Sequence, residues 1–431
     1  MDKNNTDNGF CALPFVQYST YNGGRYRLCC MAKEPQDIGK PTVNQEELGI
    51  SGTWNHEYIK DVRKRMAAGE WLPECVECER LERNGIVSSR QWENEVWEDV
   101  VEDIIEDASA NDWHVEQPLQ FDFRLGNLCN LKCQMCNHEA SHLVSVERGQ
   151  MIDQGLGIQH QDWTDDNIAD KKLALLQPGI EWESFEKMLP HAQKIKMIGG
   201  EPTVSPDMFK LLDMATEMDV AKNIELSFYT NITNMQDKWL EQLGQFKKVI
   251  VNCSLEGSGA MNDYLRPPSK WDSVWKNFDK LHQFSKRKEG KRIKVRITTV
   301  NQITNALHIV PFWRFLHDYQ VANPERGIGM STNQLVEPNY YSMAYSPQWL
   351  RDQQKEQVLE FLEEIKDSEY FEDFEEPLME LVYFGEDDKH QYNEHAMRKY
   401  VEVTENYDAF RMTDVRTVSP EFDRIKRDLN G

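Results

Sequence analysis

Six short strand-like runs, each followed by a helical pattern, do most to restrict what this chain can fold into. Leu119, Phe121, Phe123 and Leu125 alternate with polar neighbours after Pro118, the period-two signature of a strand. Further runs follow at Lys194 to Ile198, Ile224 to Thr230, Val249 to Leu255, Ile293 to Val300 and Gly327 to Ser331. Between them apolar residues recur at helical spacing, as at Met208, Leu211, Leu212 and Ala215, or Trp271, Val274, Trp275, Phe278 and Leu281. This alternation predicts an α/β fold of parallel strands with crossover helices, either an open doubly wound sheet or a barrel. In both, ligands bind at the C-terminal ends of the strands.

The nine cysteines are not scattered. Cys129, Cys133 and Cys136 sit within eight residues at the end of the first predicted strand; Cys11, Cys29, Cys30, Cys75 and Cys78 precede residue 80; Cys253 stands alone. Three thiolates on one loop suit three corners of a cubane iron–sulfur cluster, leaving one iron open to a chelating amine and carboxylate. The alternative is zinc, whose structural sites usually pair two Cys-x2-Cys knuckles; here the nearby fourth ligand would be His138 or His142. Gly199-Gly200-Glu201-Pro202 follows the second strand, where two glycines let backbone approach a ligand and Glu201 offers an acceptor; a plain turn explains it as well.

These motifs resemble the radical SAM superfamily. Cys129-Asn-Leu-Lys-Cys133-Gln-Met-Cys136 matches its Cys-x3-Cys-x2-Cys loop and Gly199 to Pro202 its GGEP motif; Thr230-Asn231, Ser254-Leu255-Glu256-Gly257 and Tyr264-Leu265-Arg266 extend the likeness over roughly residues 118 to 331. The resemblance implies a partial (β/α)6 TIM-like barrel. It implies a [4Fe-4S] cluster on the three cysteines and S-adenosylmethionine (SAM) bound with its amine on Gly199, Gly200, Glu201 and Pro202. Ser254 would meet its ribose and Arg266 its carboxylate, with Asn231 and Glu256 among the cofactor-binding positions. Met135 stands where the family often has an aromatic beside the adenine. The implied chemistry is one-electron cleavage of SAM to a 5′-deoxyadenosyl radical that takes hydrogen from a substrate, with a flavodoxin- or ferredoxin-like electron donor.

Cys11, Cys29, Cys75 and Cys78 are four thiolates, enough to ligate a second cluster fully. Gly24 suits a tight hairpin before Cys29, and Cys30 is an alternative ligand if the hairpin register differs by one. The stretch from Trp54-Asn55 through Val62-Arg63, Met66 and Gly69 to Pro73-x-Cys75 looks like the approach to the Cys-x2-Cys pair of twitch and SPASM auxiliary-cluster domains, here preceding the barrel. A zinc ribbon from the same cysteines is the alternative. A fully ligated second cluster points to net oxidation. The resemblance then favours oxidative modification of a peptide or protein, ahead of alcohol dehydrogenation of a small molecule or a non-catalytic metal scaffold.

Charge and composition remove other classes. Forty-nine basic against 73 acidic residues leave a net charge of −24, which repels nucleic acid and anionic membranes. The basic cluster Lys286 to Arg296 reads as a helix-to-strand connection. The start of the chain lacks the pattern of a secretory signal, and no stretch has the apolar length of a membrane span, so a cytoplasmic, reducing location is expected. No Walker loop, Gly-x-Ser-x-Gly or paired-His metal motif is present. Cys253 is expected to pack outward as a small hydrophobe, and Tyr340 to Tyr345 either to line a pocket or to form a core loop. The expected organisation is a twitch-like domain over 1–90, an acidic helical linker over 91–117, the barrel over 118–335 and a helical region over 336–431.

Overall fold

The alternation around Phe121 becomes a strand because its apolar side chains have aromatic partners on a neighbouring strand and on a helix. A computed structural model describes residues 7–85, 87–156, 175–387 and 390–430. Its two compact units are Met1–Asn127 with Leu176–Phe228 and Gln245–Lys248, and Leu128–Leu175 with Tyr229–Gly244 and Val249–Gly431.

In the first unit, β1 (Gln17–Thr20), β2 (Tyr26–Arg27), β3 (Gln120–Arg124), β4 (Lys194–Ile198) and the body of β5 (Glu225–Thr230) lie in the order β2-β1-β3-β4-β5. All pairings are parallel except the β1–β2 hairpin; Phe121 is level with Tyr18 and Ile195, and Ile195 with Leu226. Phe121 and Phe123 each meet Phe185 at 5.1 Å between ring centroids, and Tyr18 lies 6.3 Å from Phe121. Asp122, of opposite parity on the strand, is buried between Arg27 and Lys196, each at 3.7 Å. The β1–β3 pairing carries the N-terminal region into the same sheet as the first strand of the repeat, where the sequence suggests a separate domain over 1–90. Strand β1 is four residues, Gln-Tyr-Ser-Thr, all buried, with no polar alternation by which to recognise it.

Arg63 stitches this region together. Fully buried, it donates to the carbonyls of Pro14, Trp54 and Trp113 and to Asn55 Oδ1 at 2.8–3.0 Å, and its guanidinium lies over the Trp54 ring. Burial pulls its pKa down to about 10. The acidic stretch after residue 88 forms two helices, Ser89–Val96 and Glu98–Ala110, the first opened by a Ser88/Gln91 capping box.

In the second unit β6 (Lys248–Ser254), β7 (Ile293–Asn301) and β8 (Gly329–Gln334) are parallel in that order, with Val251 level with Val295 and Ile297 with Met330. Helices Trp271–Lys286 and Ile309–Ala322 meet through an aromatic face, Trp275 lying 4.7 Å from Phe315 and 4.8 Å from Tyr319. Cys253 is fully buried on β6. Among the described residues four α-helices follow β8, Gln348–Ile365, Phe371–Glu386, Glu394–Arg411 and Phe422–Asp428. Helix Glu394–Arg411 shares one buried core with Met151, Tyr264, Leu265, Ile303, Tyr340 and Tyr341, so the aromatic segment is core. The fold class is α/β with parallel strands and a helical C-terminal region, and each expected strand is present to within two or three residues at its ends. Among the described residues no helix is long and apolar enough to cross a membrane. Residues 1–6, part of the segment read for a secretory signal, lie outside the described residues.

Candidate functional site

The triplet loop of the second unit is held by its own backbone and by side chains from distant parts of the chain. Cys136 N donates to Cys133 O at 3.1 Å, Lys132 N to Pro267 O at 2.7 Å and Gln134 N to Leu265 O at 3.1 Å, so the segment after helix Gly259–Leu265 aligns the middle of the loop. Ser141 Oγ donates to Leu131 O at 2.7 Å. Asn231, expected to meet SAM, donates from Nδ2 to Asn130 Oδ1, directly after Cys129, and its Oδ1 accepts from Thr233.

Cys133 is buried and Cys129 and Cys136 are half-buried. A hydrogen bond from Cys136 holds the Cys133 thiol below the usual range, helped by Arg266, whose Nη1 lies 3.6 Å from Cys133 Sγ; the same bond pushes Cys136 up. Arg266 is in turn bound by Glu256 through two contacts, one from Nε to Oε2 and one from Nη2 to Oε1 at 3.2 Å. Glu256 is 1% exposed. The sequence marks both residues as SAM-binding positions; the structure adds that they are a buried ion pair facing a cysteine. Ser254 is half-buried at the end of β6. This donor set suits a soft, anionic iron–sulfur group: three thiols on one loop, one of them lowered, beside a guanidinium.

In the first unit, Gly199 follows β4 with φ +127°, and a β-carbon there would come within 2.7 Å of Gly126 O and 2.8 Å of Leu125 N. Only glycine fits that approach. Gly200 N donates to Gly126 O, and buried Glu201 receives the Thr203 N–H and hydroxyl at Oε1, which fixes the carboxylate.

The N-terminal cysteines also converge in the first unit. Cys11, Cys29, Cys75 and Cys78 line one pocket with Leu13, Met31, Ala32, Ser89 and Arg90. Cys30 is exposed and outside it. Several contacts gather the segments. Gly9 N donates to Gly69 O; Lys33 N donates to Glu74 O; Arg90 Nη1 and Asn94 Nδ2 both donate to Phe10 O, while Ala12 N donates to Asn94 Oδ1. Gly23 and Gly24, both at positive φ, turn the hairpin that delivers Cys29. Burial pushes the Cys29 thiol up to about 12, and burial with the neighbouring thiols raises Cys11 and Cys75 further; Cys78 is raised chiefly by burial. Among the described residues no three His, Cys, Asp or Glu side chains converge as ligands of a single metal ion do. Nothing in the sequence pattern marks Arg90, whose buried partner Glu82 lies eight residues away, or Arg148 and Arg411 beside the triplet loop.

Residues 123–306 match the family model described as the Radical SAM superfamily. No curated protein matches the chain. Similar solved structures are native anSMEcpe with bound AdoMet (18% identity, TM-score 0.37, 57% of this chain and 61% of that one) and the same enzyme with AdoMet and the Cp18Cys peptide (17%, 0.36, 57% and 60%). Streptococcus suis SuiB bound to precursor peptide SuiA is similar at 15% identity and TM-score 0.35, over 75% of this chain and 67% of that one. The chain thus spans about three fifths of the length of anSMEcpe. The matched segment contains the cysteine triplet, the Gly-Gly-Glu-Pro turn and strands β4 to β7, so it is this part of the chain that carries the likeness to the radical SAM superfamily.

Proposed function

We propose that this chain cleaves SAM reductively and uses the radical for oxidative modification of a peptide or protein, with a second cluster in the N-terminal cysteine pocket. The observation that carries the reading is the buried Cys133 on the loop of three cysteines, its Sγ 3.6 Å from Arg266 Nη1 and faced by the Arg266–Glu256 pair. When bound at Cys129, Cys133 and Cys136, a [4Fe-4S] cluster supplies one electron to SAM, whose cleavage yields methionine and a 5′-deoxyadenosyl radical that takes hydrogen from substrate. Around it, Glu256 fixes the Arg266 guanidinium and Asn231 braces the loop through Asn130. By the family likeness, Gly199, Gly200, Glu201 and Pro202 receive the SAM amine, Ser254 its ribose and Arg266 its carboxylate.

Four thiols raised by burial in a shared pocket, three of them raised further by neighbouring thiols, form a donor set that a multivalent cation relieves. Full thiolate ligation leaves the second cluster no open iron, which suits an electron acceptor and hence net oxidation. The reading places the protein in the cytoplasm with a flavodoxin- or ferredoxin-like donor, without nucleic-acid or membrane partners.

The test is anaerobic reconstitution with iron, sulfide and zinc counted, followed by SAM and dithionite with 5′-deoxyadenosine measured. Eight irons, from two cubanes, and released nucleoside are expected; zinc without sulfide, or no nucleoside, would sink the reading. A deuterated lysate, separated by size, then distinguishes substrates: deuterium should pass to 5′-deoxyadenosine from the peptide and protein fraction. Transfer from the small-molecule fraction alone would refute peptide modification.

A further inference from the structure

The helical C-terminal region reaches back to the cysteine loop. Arg411, the last residue of helix Glu394–Arg411, donates from Nη2 to the carbonyl of Lys132, immediately before Cys133, at 2.8 Å. The same guanidinium binds both oxygens of Glu147, at 3.1 and 2.5 Å, and Glu147 also receives Lys132 Nζ at 2.7 Å. One turn earlier, Tyr407 Oη accepts from Arg148 Nε at 3.2 Å, and Arg148 Nη2 donates to Cys136 O at 3.2 Å. Two carbonyls of the triplet loop are therefore held by guanidinium groups anchored on one C-terminal helix.

This arrangement is costly for stability alone. Arg411 is 7% exposed and Glu147 1%, and Arg411 Nη1 is buried with no hydrogen-bond partner among the described residues. Buried ionic groups are commonly outperformed by apolar residues of the same volume. The group is also unbalanced in charge, because Lys132 and Arg411 share one carboxylate, Glu147. An extra positive charge next to an iron–sulfur group favours its reduced form.

We infer that Arg411 is a positioning residue for the cluster loop, pinning the Lys132 carbonyl and supplying the excess positive charge that makes the cluster easier to reduce, so that the C-terminal helix is part of the electron-accepting site. The inference rests on the reading that Cys129, Cys133 and Cys136 hold a cluster.

The experiment uses the full chain, reconstituted, in a Cys75→Ala/Cys78→Ala background so that one cluster is titrated. The reduced cluster is measured by electron paramagnetic resonance at a fixed redox poise near the wild-type midpoint, without SAM. Arg411→Met should lower the ratio of reduced to oxidised cluster about tenfold, equivalent to a 59 mV drop for a one-electron couple. Glu147→Gln, which removes the shared negative charge, should raise it. Arg411→Lys should return the ratio to within about threefold of wild type while bathophenanthroline strips its iron faster, because one ammonium replaces the guanidinium fork. Opposite shifts for Arg411→Met and Glu147→Gln are not what loss of packing produces. Equal ratios in wild type and Arg411→Met, or shifts of the same sign in both variants, would overturn the proposal; if Arg411→Met does not fold, Glu147→Gln and Arg411→Lys decide it. Wild type taking up no iron and sulfide would instead remove the cluster reading, and this proposal with it.

Discussion

The two cysteine sites are built in opposite ways. The triplet lies within eight residues, and its loop is held by local backbone bonds and by charged groups, Arg266, Arg148 and Arg411, from later in the chain. The N-terminal pocket draws its four cysteines from three segments spread over 67 residues, Cys11 to Cys78, and needs Gly9, Lys33, Arg90 and Asn94 to gather them. One site is a motif with a scaffold of charges; the other is a scaffold with cysteines at its convergence. The electrostatics follow. The Cys133 thiol is lowered by Cys136 and Arg266, whereas Cys11, Cys29, Cys75 and Cys78 are raised by burial and all but Cys78 also by neighbouring thiols.

The comparison breaks most sharply at Cys133. Cys133→Ala should abolish 5′-deoxyadenosine release while leaving the iron of the N-terminal site, about half the total, in place. Nucleoside release at the wild-type rate would show that the two sites had been assigned the wrong way round. Next in size, Cys75→Ala or Cys29→Ala should remove the other half of the iron and leave some uncoupled SAM cleavage, and Cys30→Ala should remove none, because Cys30 is exposed and outside the pocket. Iron lost from Cys30→Ala and retained in Cys29→Ala would reverse the choice of ligand.

A smaller effect separates scaffold from ligand. Arg63 touches no cysteine, yet four of its contacts tie together Pro14, Trp54, Asn55 and Trp113. Arg63→Met leaves two buried carbonyls, those of Pro14 and Trp54, and the half-buried one of Trp113 without this donor, a loss of ~3 kcal/mol. Chemical denaturation followed by fluorescence should show it, with N-terminal iron becoming labile and triplet iron unchanged. Equal lability at both sites would mean that the N-terminal scaffold is not independent of the triplet loop.

How much of this was legible in the sequence follows from the same contrast. Strands β3 to β8 announce themselves through alternation or apolar runs, and the Cys-x3-Cys-x2-Cys loop through spacing, since both are local. Strand β1 is four buried residues with polar side chains on Gln17, Ser19 and Thr20, so its pairing with β3 depends on tertiary burial that no period reveals. Glu256 and Arg266 were legible as motif positions, ten residues apart, but not as an ion pair. Arg411 lies 279 residues from the carbonyl it holds, and no pattern along the chain marks that distance.

The smallest effect reads the electrostatic difference directly. In the metal-free protein a buried thiol whose pKa is raised binds its proton more tightly folded than unfolded. Ordinary thiols ionise near pH 8.5, while Cys29 is pushed up to about 12 and Cys11 and Cys75 are raised as well. The metal-free fold therefore keeps this contribution in full below about pH 8.5 and loses it progressively as pH rises toward 12, where the unfolded chain releases protons that the folded pocket retains. Denaturation midpoints of the metal-free protein should fall over that interval, and a Cys11→Ser/Cys29→Ser/Cys75→Ser variant should fall less. Cys133, whose thiol is lowered, has the opposite sign, so Cys133→Ser should not flatten the curve. A variant of the N-terminal cysteines with the same alkaline slope as wild type would place the proton-binding difference elsewhere, and would leave the crowded-thiol account of that pocket without its cause.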